Sequence, residues 1–423
     1  MRIDVFCEWG DSYGLGHLRR CENLIELFVR YFHHLKFQIS FHALPAPIPD
    51  LFYEFVIIDS YILEKSAYQF LDQRSKCLIC LDDFHRLSYP SKALILSPTA
   101  LRSKRFSGIP CVILNPVFLL PPSTQTIPNQ VLITLGGSDQ NTLITQILDA
   151  LPSHFTPKII SPTFKHPQSS HNLSSHEICT LIDESEYVIC AGGGTLNEVI
   201  SRNKKIIALC IAPNQKPQLN AYKKRFPIIF NPHHQLSHKL SNALARTQTF
   251  STHFGSKLPK LFSLWLHQYL SLPPTIKLFQ HLTHYEKKQI LSLRNQPEVR
   301  QASFNPAPIT LKEHLRFIDS IKPNQMMYFA FFEGRRIIGS GSLHLIAPNL
   351  ATLGIYKDMR CKQAGSKILF KLLQIASKLD IQTLELKVLK TNTKAIAFYQ
   401  KHHFCISKEY QDHFIMHYQK ETK

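Results

Sequence analysis

Between residues 3 and 201 a short apolar run ends in a glycine cluster, and a stretch with helical spacing follows, three times over. The clusters are Gly14-Leu15-Gly16-His17, Leu135-Gly136-Gly137-Ser138-Asp139 and Ala191-Gly192-Gly193-Gly194-Thr195. Glycine lets a backbone turn sharply, and the free N–H groups of a helix start attract anions. The same alternation runs on either side. Strand candidates are 3–7, 55–58, 77–81 and 93–96, then 131–135, 158–160, 187–190 and 206–210, with helical spacing in 19–31 and 196–201. Continuous apolar strands alternating with helices predict parallel sheets covered on both faces.

Two Pro-rich breaks divide the chain, at 120–130 and at 256–275. With 423 residues and ~150 per typical domain, the reading is α/β throughout. It has one doubly wound half at 1–122, a nucleotide-binding half at 123–255, a linker at 256–275 and a separate α/β domain at 276–423. A ligand cleft is expected at the carboxyl ends of the strands of the two halves.

Charge narrows the partners. The formal net charge is +19, from 49 Lys and Arg against 30 Asp and Glu, yet the longest basic run is Lys223-Lys224-Arg225. Scattered basicity without interleaved aromatics marks a solvated surface that favours anionic small molecules, so no nucleic-acid partner is expected. No run approaches the ~20 apolar residues of a membrane helix, so no membrane span is expected. Asp4 and Glu8 stand where a signal peptide would be apolar, which points to the cytoplasm. The ten cysteines are dispersed. Cys77 and Cys80 lie three apart on a strand, on opposite faces, and read as buried thiols rather than zinc ligands.

His17 falls at a helix start, where a neutral imidazole can act as a base near pH 7. Alone, Gly-x-Gly-His fits a turn with a packing histidine equally well; three such junctions favour a nucleotide site. The 192–194 turn suits a diphosphate, and Glu198, one turn into the following helix, can accept from ribose hydroxyls. Asp59, Asp82 and Asp83 follow predicted strands. As substrate contacts or as helix caps they read nearly alike. No acidic cluster resembles a metal cage, so a metal-independent reaction is expected.

Taken in order, Gly14-Leu15-Gly16-His17-Leu18-Arg19-Arg20, Ile57-Ile58-Asp59-Ser60-Tyr61, Leu81-Asp82-Asp83, Leu135-Gly136-Gly137-Ser138-Asp139, Leu196-Asn197-Glu198 and Asn214-Gln215 resemble the UDP-2,4-diacetamido-2,4,6-trideoxy-β-L-altropyranose hydrolases of pseudaminic acid synthesis. The resemblance covers roughly residues 1–250 and implies two Rossmann-like halves in the GT-B arrangement of peptidoglycan glycosyltransferases. It implies release of UDP by water at the anomeric carbon with inversion, His17 orienting or deprotonating the water. The implied substrate-binding set is Gly14, Gly16, Arg20, Asp59, Tyr61, Asp83, Gly136, Gly137, Gly193, Gly194, Thr195, Asn197, Glu198 and Gln215. The family often has Asp-His-Tyr where this chain has Asp59-Ser60-Tyr61.

Beyond residue 276 the texture changes. A helical segment at 285–294 precedes apolar strands at 328–332 and 337–345, joined by Glu333-Gly334-Arg335-Arg336, and a further strand at 353–356. Arg360-Cys361-Lys362-Gln363-Ala364-Gly365-Ser366 then leads into a helix at 367–379, a second strand–loop–helix anion site. A strand at 383–389 and Asn392-Thr393-Lys394-Ala395-Ile396-Ala397-Phe398-Tyr399 follow. This order resembles the GNAT acetyltransferases, and 293–300 is similar to the UDP-4-amino-sugar N-acetyltransferase of the same pathway. The resemblance implies acetyl-CoA as cosubstrate, a UDP-linked amino sugar as acceptor, and Tyr399 as proton donor to the leaving thiolate. It implies cofactor contacts at Arg360, Gly365, Ser366 and Asn392. Gln363 and His403 stand where the family has glycine. Two other readings stay open: an N-terminal glycosyltransferase that uses an acceptor instead of water, and a C-terminal domain that binds without catalysing.

Overall fold

The computed structural model describes residues 1–10, 13, 15–83, 86–99, 106–122, 125–136 and 139–418. Its first sheet contains β1 (Arg2–Glu8), β2 (Gln38–Leu44), β3 (Tyr53–Asp59), β4 (Ser75–Leu81) and β5 (Leu94–Leu96), all parallel, in the order β2-β1-β3-β4-β5. Helix α1 (Gly16–Tyr31) buries Cys21, Leu24, Ile25 and Phe28, the i, i+3, i+4, i+7 stripe of a helix laid on a sheet. Helix α2 (Lys65–Gln73) covers the other face through Tyr68 and Leu71. β4 shows both faces at once: Cys77 belongs to the core under α1 and Cys80 to the core under α2, and both thiols are buried.

The second sheet runs β11-β10-β9-β6-β7-β8, from β6 (Ile127–Thr134), β7 (Thr156–Ile160), β8 (Ser169–Ser170), β9 (Ser185–Ala191), β10 (Lys204–Leu209) and β11 (Ile228–Ile229). These strands are parallel; β12 (Thr249–Phe250) adds antiparallel to β10. Helices α3 (Asn141–Ala150), α4 (Ser175–Glu184), α5 (Gly194–Ser201), α6 (Lys216–Tyr222) and α7 (Leu236–Arg246) clothe it. The parallel sheets fit Rossmann-like halves.

The segment 256–275, expected to be a linker, contains helix α8 (Leu258–Leu270). Seven of its residues are buried: Leu258, Leu261, Phe262, Trp265, Leu266, Tyr269 and Leu270. Trp265 packs edge-on or tilted among Phe28, Phe32 and Phe55 of the first half, and the Cys77 thiol faces the Trp265 carbonyl at 3.8 Å. At its far end, Tyr269 Oη donates to the Lys378 carbonyl at 3.3 Å and Lys378 Nζ to the Leu270 carbonyl at 2.6 Å.

The third sheet is mixed, in the order β13-β14-β15-β16-β17-β19-β18. Its strands are β13 (Ile276–Leu278), β14 (Met326–Glu333), β15 (Arg336–Ala347), β16 (Leu350–Lys357), β17 (Thr383–Leu389), β18 (Phe404–Glu409) and β19 (His413–Tyr418). Helices α9 (His284–Arg294), α10 (Pro297–Gln301) and α11 (Leu311–Ser320) precede β14, and α12 (Ala364–Lys378) and α13 (Thr393–Lys401) flank β17. All pairings are antiparallel except β16 with β17, which pair over only three registers, Leu350–Thr352 with Thr383–Glu385. Past Thr352 the two strands part. No described helix is long and apolar enough to cross a membrane.

Candidate active sites

In the first half, the ends of β1, β3 and β4 deliver Glu8, Asp59 and Asp83 to the start of α1, where His17 is the second helical residue. Asp59 is fully buried. Its Oδ1 lies 2.9 Å from His17 Nδ1 and 2.5 Å from Arg20 Nη2, and its Oδ2 accepts from Arg20 Nε at 2.7 Å. Arg20 Nη1 reaches Asp83 Oδ2 at 2.6 Å, the same oxygen that accepts from Tyr61 Oη at 2.5 Å. The Tyr61 ring sits edge-on to His17, 4.6 Å between centroids. Burial would raise the Asp59 carboxyl, but the Arg20 guanidinium and the His17 hydrogen bond outweigh it and hold the group below the usual carboxylate range. Burial works against Arg20 in the same way, and Asp59 with Asp83 keep it well above its ordinary value.

A carboxylate only accepts, so His17 Nδ1 carries the proton in this pair. The Nε2 lone pair is then the one left to take a proton, the division of labour of an Asp–His dyad. Asp59, expected as a substrate contact, has both oxygens engaged by His17 and Arg20. Asp83 likewise holds Arg20 and Tyr61. Neither carboxylate caps a helix among the described residues. Gly16 opens α1 with empty space where a Cβ would stand, while Gly14 lies outside the described residues.

Glu8 is the residue that the reading from sequence missed. It is 2 % exposed, and Oε1 accepts from Ser60 Oγ at 2.5 Å, Tyr61 N at 2.8 Å and Ile62 N at 3.2 Å. Its Oε2 lies 3.7 Å from His17 Nε2. Ser60, the departure from Asp-His-Tyr, thus turns the chain after β3 and braces Glu8.

In the second half the same strand ends form a cradle. Gly136 follows β6 at φ +90°, and Gly137 lies outside the described residues. Gly193 is the N-cap of α5, with Gly194 and Thr195 in its first turn and no side chain capping the free N–H groups. Gly192 is required by packing, since a Cβ there would come within 2.6 Å of Leu219. Gln218, also missed, donates to the Gly193 carbonyl at 3.2 Å and approaches Asn197 Oδ1 at 3.5 Å, tying α6 to the glycine turn. Gln215 Oε1 accepts from Ile211 N at 3.0 Å and shapes the loop after β10. Burial pushes the Glu198 carboxyl up to about 7, and no side chain among the described residues pairs with it.

The third site is the wedge between β16 and β17, closed at one end by the start of α12. Leu353–Lys357 of β16 have no strand on the β17 side, so their backbone groups there await a partner. Gly365 lies in the first turn of α12, where a Cβ would already touch the Phe398 ring at 3.4 Å. Ser366 Oγ is 3.0 Å from His402 Nε2. Asn392 is the N-cap of α13, its Oδ1 accepting from Ala395 N at 3.2 Å. Tyr399 is 8 % exposed, burial raises its phenol well above the ordinary value, and its hydroxyl has no hydrogen-bond partner among the described residues. Arg360 and Arg336 both grip the buried Asp358, at 2.8 Å and 2.7 Å, and hold its carboxyl far below the carboxylate range.

Gln363 and His403 sit at φ +59° and +65°. Both are left-handed positions, at the start of α12 and just past the end of α13. Glycine would be unstrained there, and these side chains cost about 1 kcal/mol each while the backbone path is kept.

Three sheets, with polar groups gathered at strand ends and helix starts, make this a mixed α/β protein with three candidate sites. The acetyltransferase (GNAT) family model matches residues 289–404. The acetyltransferase PseH of Campylobacter jejuni is 30 % identical over 141 residues, 33 % of this chain and 89 % of that protein. In its C-terminal part, this chain belongs to the GNAT acetyltransferase family. The N-terminal half matches the Helicobacter pylori pseudaminic acid cytidylyltransferase and UDP-2,4-diacetamido-2,4,6-trideoxy-β-L-altropyranose hydrolase, 28 % identical over 240 residues. That match is 51 % of this chain and spans 45 % of the relative's length. Among solved structures, the C. jejuni N-acetyltransferase PseH is 27 % identical and covered in full by 35 % of this chain, with a TM-score of 0.30.

Proposed function

We propose that the chain is a bifunctional nucleotide-sugar enzyme of pseudaminic acid synthesis working in the cytoplasm. Its C-terminal domain acetylates the 4-amino group of a UDP-linked amino sugar with acetyl-CoA. The two Rossmann-like halves, in a GT-B arrangement, hydrolyse UDP-2,4-diacetamido-2,4,6-trideoxy-β-L-altropyranose to free sugar and UDP with inversion. The observation that carries the hydrolase reading is the His17–Asp59 pair: a fully buried carboxylate at 2.9 Å fixes the tautomer that leaves Nε2 basic. Water gives its proton to Nε2 as its oxygen bonds the anomeric carbon, and the electron pair of the breaking bond leaves on the UDP oxygen. The uncapped start of α5 receives the diphosphate, and Glu198, with no side-chain partner among the described residues, accepts from the ribose.

For the acetyltransferase, the wedge after Thr352 and the N-terminus of α12 fit a thioester cosubstrate with a pyrophosphate, because both offer unused backbone donors. Acetyl-CoA supplies the activated acetyl group. Tyr399, kept protonated by burial, gives its proton to the departing thiolate. Gln363 and His403 keep the loop geometry that glycine would give, which favours a working domain over a degenerate one.

Incubation of the UDP-diacetamido sugar in ¹⁸O-labelled water tests the hydrolase assignment. The expected product is free sugar labelled at the anomeric oxygen and unlabelled UDP. Label in UDP, or no UDP release until a second sugar or lipid acceptor is added, contradicts it.

A further inference from the structure

Glu8 is a buried charge with a function still unaccounted for. Its Oε1 does all the structural work, accepting from Ser60 Oγ, Tyr61 N and Ile62 N at 2.5–3.2 Å. An amide oxygen would serve those three donors equally well. A charge at 2 % exposure costs several kcal/mol unless something compensates it. Among the described residues the only basic group within ion-pair distance is His17, whose Nε2 is 3.7 Å from Oε2. Oε2 itself carries no hydrogen bond to any described residue. The groups facing His17 are then Glu8 from β1, Asp59 from β3, Arg20 from its own helix and Tyr61 from the turn after β3, with Asp83 behind Arg20.

Two acceptors 3.7 Å apart leave room for one water oxygen at ~2.8 Å from each. Such a water donates one hydrogen to His17 Nε2 and the other to Glu8 Oε2, which turns a lone pair outward. We infer that Glu8 is a catalytic residue of the hydrolase: its Oε2 and His17 Nε2 together hold the attacking water, and its charge stabilises the imidazolium formed when the water proton moves to Nε2. In that state the ring lies between two carboxylates, Asp59 at Nδ1 and Glu8 at Nε2. The O–C bond to the sugar forms as the C–O bond to UDP breaks, so one proton passes to His17 and one electron pair to UDP. The inference rests on the hydrolase reading above.

Glu8→Gln separates the charge from the scaffold, because its amide oxygen still serves the three donors. The expected result is a fall of roughly 10²-fold in kcat for UDP release, with KM for the UDP-sugar within about twofold. Acetyl transfer by the same polypeptide stays at the wild-type rate and reports an intact fold. Added to His17→Ala, Glu8→Gln lowers the residual rate no further, as expected for two groups acting on one water. A wild-type kcat in Glu8→Gln overturns the inference, as does a raised KM with kcat preserved or a full additional loss in the His17→Ala background. If Glu8→Gln loses acetyl transfer as well, Glu8→Asp replaces it. There the retained but retracted charge is expected to lower kcat by about tenfold, and an unchanged kcat overturns the inference. A wild-type enzyme that releases no UDP refutes the hydrolase reading instead, which keeps the two failures distinct.

Discussion

His17→Ala is expected to lower UDP release by about 10³-fold and to leave acetyl transfer unchanged. The size follows from what is lost: the only ring nitrogen free to accept a proton, poised by a carboxylate with no other exposure to the site. Arg20 would keep Asp59 ionised and in place through its own two hydrogen bonds, at 2.5 Å and 2.7 Å, so the pocket should hold its shape. The glycine turn at α5, proposed above to hold UDP, belongs to a different sheet, and KM should move little. Assaying UDP release and acetyl transfer on one preparation checks this. Parallel loss of both in a folded variant would refute separate sites.

The second large effect is on stability. Trp265→Ala should cost about 3–5 kcal/mol, the usual range for truncating a buried aromatic. The indole is fully buried, with ring centroids 4.5 Å from Phe28, 5.0 Å from Phe55 and 5.3 Å from both Phe32 and Tyr269. Its Nε1 has no partner among the described residues, an existing cost that should place the loss nearer the lower end. Urea unfolding followed by tryptophan-independent circular dichroism gives the number. A change under about 1 kcal/mol would mean that α8 is not part of the core of the first half.

That helix also shows where sequence reading stops. Pro259 and the 272–274 turn made 256–275 look like a break, yet proline is welcome in the first turn of a helix, where its missing N–H is not needed. In the first two sheets β1, β3, β4, β5, β6, β7, β9 and β10 were legible because burial writes them as unbroken apolar runs, whereas the two-residue β8, β11 and β12 are too short to leave such a run. β2 was not legible either, since it is an edge strand whose Gln38, Ile39 and Ala43 face outward. His17, Arg20, Asp59, Tyr61 and Asp83 could be singled out one by one, but their convergence depends on β1, β3 and β4 pairing in register. Glu8 carries no local signal at all. Only the pairing of Cys7 with Asp59 brings it beside the turn after β3. Gln363 and His403 were visible as departures from glycine; that both adopt positive φ needed the backbone.

In the proposed order of reactions, one chain acetylates a UDP-linked 4-amino sugar and then removes its UDP. Product analysis by NMR, with that sugar and with or without acetyl-CoA, tests it most directly. Free diacetamido sugar and UDP are expected, appearing only when acetyl-CoA is present. Acetylated UDP-sugar that accumulates without UDP release would contradict it and return the N-terminal half to the transferase reading.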